Sequence, residues 1–312
     1  MGPREPAVTF DVGTNTLIML VASLRQDGSV EVLHDLARIV RLGEGVDATG
    51  KLSGDATRRT LAEMRNLVRL ARKLKVPPER SAAVGTAALR DAIGADRFLK
   101  DAAGILGHPL EVIAGDEEAR LTWLAVARGL AEEPGTGPGP RAVVDIGGGS
   151  TEVVLGRGDD ILSRKSINIG SVRMTERHVT DDPPRHQVPA LRAAIRAELA
   201  GAIPDIRPSE LVGVAGTVTT LGAIAHAVDP YDPDRVHGIR LHRPDLETLL
   251  DDLSGMTLED RRDLRGLEPK RADVIVAGAA ILLELLNAFG AASVRVCDHG
   301  VRYGLWHDRF GG

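Results

Sequence analysis

Residues 142–155 read Ala-Val-Val-Asp-Ile-Gly-Gly-Gly-Ser-Thr-Glu-Val-Val-Leu. Small and β-branched residues run up to Asp145, break at Gly147, Gly148 and Gly149, and resume at Val153, which predicts a strand, a tight turn and a second strand. Three successive glycines remove every Cβ from the turn, so consecutive backbone N–H groups can converge on an anion. Ser150 and Thr151 add hydroxyls, and Asp145 stands where a cation bridging phosphate oxygens needs a carboxylate. A capped glycine hairpin with no ligand has the same local sequence, so this stretch alone leaves both readings open.

A second copy decides between them. Residues 8–22, Val-Thr-Phe-Asp-Val-Gly-Thr-Asn-Thr-Leu-Ile-Met-Leu-Val-Ala, repeat the plan. Asp11 corresponds to Asp145 and Gly13 to Gly147, with Thr14, Asn15 and Thr16 as the small polar residues of the turn and Thr16 near Ser150 and Thr151. Two such hairpins, each opening one half of the chain, predict a duplicated domain with a phosphate-holding loop in each half.

Working outward, residues 29–42 alternate loosely and suggest a third strand, and 43–54 read as a loop. Apolar residues from Leu61 to Leu74 at three- and four-residue spacing predict a helix over 55–74, stopped by Pro77-Pro78. A strand at 81–85, a helix at 91–106, a strand at 110–113 and a helix at 115–130 follow, then a linker at 134–140. The second half repeats this with strands at 142–146, 151–156 and 160–169, a helix at 188–202, a strand at 210–215 and a helix at 217–228. Helices at 243–254, 257–265 and 271–289, a strand at 294–297 and a helix at 299–309 complete it. Three antiparallel strands followed by alternating helix and strand is the ribonuclease-H-like α/β layout, used twice in proteins of actin-like architecture. The expected lobes are 1–125 joined by 298–312, and 126–297, with a central cleft.

Composition bounds the rest. A chain of 312 residues suits two domains, and 43% hydrophobic with 27% charged residues is a soluble globular balance. A net charge of -5 argues against a general nucleic-acid binder, so a polyanionic ligand must be met by local basic residues. The single cysteine, Cys297, excludes a disulfide framework and a cysteine metal site and fits a reducing cytoplasm. No apolar run approaches the ~20 residues of a membrane span, and the opening Met-Gly-Pro-Arg-Glu-Pro has no signal-peptide character. His226, His237 and His242 are too scattered for a metal motif.

Three further stretches carry chemistry. At 84–90 a strand ends in small residues with Arg90 just beyond, a side chain suited to bidentate phosphate contact. At 213–220 another strand runs into a helix whose first turn, Gly216 and Thr217, presents N–H groups to an anion. At 115–120, Gly-Asp-Glu-Glu-Ala-Arg places two glutamates in a first helical turn, where they would equally serve as dipole complements. Arg173 and Arg177 fit a basic binding face or an exposed helix equally well.

Together the stretches 10–16, 85–90, 115–120, 145–152, 169–173, 214–220, 236–238 and 298–305 resemble, in order and over essentially the whole chain, the exopolyphosphatase and guanosine pentaphosphate phosphohydrolase family. The resemblance implies an actin-like phosphotransferase fold and the hydrolysis of a terminal phosphoanhydride. It implies that Glu118 is the catalytic base, that Asp145, Gly147 and Glu152 form a second essential cluster, that Asp11 and 13–16 form the first phosphate loop, and that Arg90 contacts phosphate. A Mg²⁺ or Mn²⁺ ion would meet Asp145, Asp11 and Glu152. Glu118, at a helix N-terminus, is expected to stay ionised. The substrate implied is polyphosphate, short chains above long ones because the C-terminal helical domains of longer members are missing, or guanosine pentaphosphate. A catalytically weak sensor and an actin-like kinase are the other readings, and a homodimer is compatible with all of them.

Overall fold

The computed structural model describes residues 5–130, 139–158 and 160–311, so most of the expected linker at 134–140 lies outside the described residues. The chain divides into two compact units, Met1–Ala125 with Val301–Gly312, and Val126–Gly300. Residues 298–300 therefore group with the second unit, and the return to the first begins at Val301.

The first unit is built on β1 (Ala7–Val12), β2 (Thr16–Leu24), β3 (Val30–Ile39), β4 (Ser81–Gly85) and β5 (Glu111–Val112), in the spatial order β3-β2-β1-β4-β5. The first three pair antiparallel, and β4 and β5 add parallel to β1. Its helices are α1 (Val46–Thr49), α2 (Gly54–Lys73), α3 (Ala87–Asp91), α4 (Asp96–Leu106) and α5 (Gly115–Gly129), within which the division between units falls. In α2, Leu61, Met64, Leu67, Val68 and Ala71 are buried at helical spacing, and the Ser53 hydroxyl caps its start by accepting from Ala56 N at 3.1 Å.

The second unit contains β6 (Arg141–Ile146), β7 (Thr151–Arg157), β8 (Asp160–Ile167), α6 (Ser171–His178), α7 (Val188–Leu199), β9 (Glu210–Val214), α8 (Ala215–Ala225), α9 (Pro233–Val236), β10 (Arg240–His242), α10 (Arg243–Gly255), α11 (Leu258–Arg262), α12 (Ile275–Phe289) and β11 (Ser293–Val296). Its sheet runs β10-β11-β9-β6-β7-β8. Without the edge strand β10 this is the order of the first sheet, with the same parallel and antiparallel pairings. The protein is therefore two ribonuclease-H-like α/β units, the layout of the actin-like ATPase superfamily. Helix α12 is buried almost all round because α6, α7, α8 and α10 pack against it. Its one buried charge, Glu284, is met by Arg192 Nε at 2.5 Å and Arg196 Nη1 at 3.1 Å from α7.

The last helix, α13 (Val301–Phe310), belongs to the first unit and packs on β1 and β2. Trp306 and Tyr303 join Ala7, Leu20, Ala22 and Ala125 in one buried cluster, and Arg302 holds Asp35 with two hydrogen bonds of 2.8 and 2.7 Å. Gly304 lies so close to α5 that any Cβ there would collide with the Leu121 carbonyl. Helix α13 thus fixes the seating of α5, which carries Glu118.

Several expectations are corrected. The single helix over 91–106 is two, α3 and α4, because Gly94 (φ 75°) turns the chain between them. The expected loop at 43–54 contains α1, and α8 begins at Ala215 rather than 217, so Gly216 and Thr217 lie inside its first turn. Neither α6, α9 nor β10 was anticipated, because each is short and lacks a full period of apolar residues.

The contact at Gly304 sets a measurable contrast. Gly304→Ala should lower unfolding free energy by about 1–3 kcal/mol through overpacking. Gly104→Ala, where the Cβ position within α4 is open, should raise it by about 0.5–1 kcal/mol. Urea titrations giving the two variants the same sign would show that α13 is not seated on α5 in this way.

Candidate active site

The two hairpin turns share one construction. Gly13 N donates to Thr16 O at 2.9 Å, and Gly147 N donates to Ser150 O at 3.0 Å. In each unit the segment after the third strand then seizes the turn's carbonyls from behind. In the first, Gly43 N donates to Thr14 O (2.9 Å), and Val40 N and Arg41 N donate to Asn15 O (2.9 and 3.0 Å). In the second, Ser171 N donates to Gly147 O (2.9 Å), and Val172 N and Arg173 N donate to Gly148 O (2.9 and 3.1 Å). Arg173 Nε completes the set on Gly149 O at 2.7 Å. A trans peptide points its C=O and the next N–H in opposite directions. Tying back these carbonyls therefore turns the N–H groups of Asn15 and Thr16, and of Gly148, Gly149 and Ser150, to the other side, where they form anion-binding nests. Gly170 is required for the second nest, since a Cβ there would strike the backbone of Gly148 and Gly149.

A row of residues crosses each sheet behind its turn. In the second unit Val214, Asp145, Glu152 and Ser166 lie directly opposite one another on β9, β6, β7 and β8. In the first the corresponding row is Val84, Asp11, Ile18 and Ala37. The rows share one aspartate, and only the second adds a glutamate and a serine. Asp145 and Glu152 are both buried, and two carboxylates directly opposed in a sheet repel each other unless a cation lies with them. Glu152 Oε1 is fixed by Ser150 Oγ at 2.9 Å and Ser166 Oγ at 2.7 Å. Among the described residues no three His, Cys, Asp or Glu side chains converge as a metal cage. A pair of hard carboxylates instead fits a Mg²⁺-type ion that takes its remaining ligands from water and phosphate. In the first unit Asp11 faces Ile18 and is a single carboxylate. There, however, both amide atoms of the buried Asn15 side chain lack a hydrogen-bond partner among the described residues, a costly arrangement that a ligand would relieve.

Glu118 lies in the first turn of α5 and is buried, its side chain 9% exposed. Its Oε2 accepts from Arg90 Nη1 at 2.6 Å, and the same nitrogen donates to Ile113 O at 3.0 Å. Burial raises the Glu118 carboxyl above its ordinary 4.5; the Arg90 charge and hydrogen bond and the Thr86 hydroxyl pull it down without reversing that direction. The direction of the shift is set by desolvation, the larger effect, and not by the helix N-terminus. Glu117 turns elsewhere: Arg120 grips both its oxygens at 2.8 and 2.7 Å and also reaches Asp308 at 2.8 Å. Asp116 is exposed.

At the start of α8, Ala215 is left-handed at φ 67°, a costly conformation for a residue with a Cβ. Gly216 follows, and a Cβ there would collide with the guanidinium of Arg271, which comes from the short 3₁₀ turn Pro269–Arg271. Burial lowers the Arg271 pKa from its ordinary value. Thr217 is buried against Gly278.

Sequence reasoning missed Ser166, the anchoring role of Arg173 and the placement of Arg271. Ser166 becomes legible only once the β7–β8 register is known, and Arg271 only once its turn is seen against Gly216. The first unit brings together Glu118, Arg90 and, through its turn, 13–16; the second brings together Asp145, Glu152 and 147–151. Among the described residues no helix is long and apolar enough to cross a membrane.

Comparison with known proteins is consistent with this construction. Residues 20–310 match the Ppx/GppA phosphatase family. The chain is 38% identical over 313 residues to exopolyphosphatase 2 of Mycobacterium tuberculosis, covering 95% of this chain and 96% of that protein. It is 34% identical over 310 residues to the guanosine-5'-triphosphate,3'-diphosphate pyrophosphatase of Vibrio cholerae, covering 96% of this chain but 58% of that protein. The crystal structure of the Ppx/GppA family member of Aquifex aeolicus superposes with a TM-score of 0.81 at 33% identity, over 97% of this chain and 96% of that one.

Removing the Ser166 hydroxyl should loosen Glu152 without touching the turn. Ser166→Ala should weaken half-saturation by Mg²⁺ about 10–100-fold, the usual cost of losing an outer partner of a metal ligand, while Ser166→Thr restores it. Unchanged Mg²⁺ dependence in Ser166→Ala would show that Glu152 does not act through the ion.

Proposed function

Because this chain belongs to the Ppx/GppA phosphatase family, we propose that it is a phosphoanhydride hydrolase that releases terminal orthophosphate from inorganic polyphosphate. The observation that carries this reading is Glu118, a buried carboxylate of raised basicity held on one guanidinium at the start of α5.

The reaction needs a water aligned with the terminal phosphorus, a proton acceptor and compensation for the charge on the phosphate oxygens. In this proposal Glu118 accepts the proton as the water oxygen bonds to phosphorus. The bridging P–O bond breaks, and the shortened chain leaves as an anion. A base whose pKa is lifted toward the working pH is a better proton acceptor than an ordinary glutamate. Arg90 acts as the positioning residue for that carboxylate, and the N–H nests of 13–16 and of 147–151 are each suited to phosphate oxygens. The α8 N-terminus at Gly216 and Thr217, with Arg271 beside it, supplies further donors. Asp145 and Glu152 would hold the divalent ion, Mg²⁺ or Mn²⁺, and the ion would neutralise phosphate oxygens.

Hydrolysis of guanosine pentaphosphate is the second reading, supported by the likeness to the Vibrio cholerae protein. Polyphosphate ranks first because the likeness to the mycobacterial exopolyphosphatase runs over 96% of that protein's length.

Phosphate release measured on short and long polyphosphate, guanosine pentaphosphate and ATP, with Mg²⁺ or excess chelator, tests the proposal. Short polyphosphate should give the highest kcat/KM, and chelator should abolish turnover. A tenfold preference for guanosine pentaphosphate would reverse the ranking, and full activity in chelator would remove the metal. Glu118→Gln should lower kcat by about 10²–10⁴-fold and leave KM equal or lower, whereas Glu117→Gln should stay near wild type. The reverse pattern would assign the base to Glu117.

A further inference from the structure

A concavity lies in the first unit, apart from every residue placed in the proposed catalytic site. It is a cavity of about 730 Å³, well inside the ~300–1,000 Å³ of small-molecule sites. Its walls come from the residues preceding and opening α2 and from those joining α3 to α4. Lys51, Arg58, Arg65 and Arg97 line it, with Asp101 as the lining carboxylate and Ile93 on its apolar side. Arg58 is engaged by Asp55. The side chains of Lys51, Arg65 and Arg97 make no hydrogen bond or ion pair with any other described residue. Three unpartnered cations therefore line one concavity against a single carboxylate, in a chain whose net charge is -5. Like charges gathered in this way repel one another, and an anion removes that repulsion. The framework is fixed in advance: Gly50 and Gly94 are both left-handed (φ 67° and 75°), and Ile93 N donates to Gly50 O at 2.7 Å, tying the two walls together. Ile93 is nonetheless 74% exposed and adds to the apolar lining that Leu52, Leu61 and Phe98 also supply.

We propose that this cavity is a second ligand site, which binds a chain of phosphoanhydride-linked phosphates, free or carried by a nucleoside. Lys51, Arg65 and Arg97 present charge to the phosphates, and Ile93 offers an apolar surface on which a nucleobase can rest. The site contains no acidic group poised as a base and no glycine nest, so it binds without hydrolysing. None of its residues belongs to the proposed catalytic machinery, and its fate is therefore separable from that reading.

Calorimetric titration of the full chain carrying Glu118→Gln, whose turnover is slowed, with Mg²⁺ present so that the catalytic site still takes phosphate, tests it with inorganic tripolyphosphate in one arm and ATP in the other. Two sites per chain are expected for at least one of the two probes. Adding Lys51→Gln, Arg65→Gln and Arg97→Gln should remove one site, or weaken it at least tenfold, and leave the other unchanged. All three side chains are exposed and unpartnered, so the fold should survive; Arg97→Glu alone is the second variant and should weaken the same site. A second site seen with both probes shows that phosphates alone are recognised, and one seen with ATP alone adds the nucleobase contact. One site per chain for both probes before the cavity is altered would overturn the proposal, as would two sites that persist in the triple variant.

Discussion

The proposed chemistry depends on one buried contact, the Glu118 carboxylate on the Arg90 guanidinium. Burial alone would drive a carboxyl toward its neutral form, and a fully neutralised carboxyl cannot accept a proton. A single cation at 2.6 Å offsets part of that cost and leaves the group basic but able to ionise. The balance is local and needs rigid support. Arg90 is steadied by the Ile113 carbonyl, and α5 is seated by α13 through the close approach at Gly304. The C-terminal helix, far from Glu118 in sequence, is thus part of what places the proposed base.

The remainder rests on one frame used twice. Both units tie the carbonyls of their turns from behind, and both carry one aspartate in the row below. The rows then diverge. In the second unit the row continues from the aspartate through Glu152 and Ser166, which suit a cation; in the first it continues through Ile18 and Ala37, and the proposed base and its arginine lie instead on α5 and α3. One repeated frame carries a glycine-type turn twice, a carboxylate pair once and the proposed base once.

Much of this was legible in the sequence because it is local. Glycine spacing, the preceding aspartates and the strand–turn–strand pattern lie within fifteen residues of each other, and the order of elements then fixes the sheet. What could not be read depends on register or on packing between distant segments. Ser166 lies fourteen residues from Glu152 and meets it only because β7 and β8 pair as they do. Arg271 reaches Gly216 from a 3₁₀ turn with no periodicity to announce it. The upward push on the Glu118 pKa could not be read because a helix N-terminus is visible in sequence and the depth of burial is not.

The pH dependence of kcat for phosphate release tests the central claim most directly. The base must be ionised to act, so activity should fall as pH drops through the pKa of Glu118 in the enzyme–substrate complex. Burial raises that pKa, so the acid limb should lie above the ordinary glutamate value of 4.5. Arg90 lowers it, so Arg90→Met should move the limb to still higher pH in addition to reducing the rate. An acid limb at or below 4.5, or one that does not move in Arg90→Met, would contradict the assignment of Glu118 as a buried base balanced by Arg90.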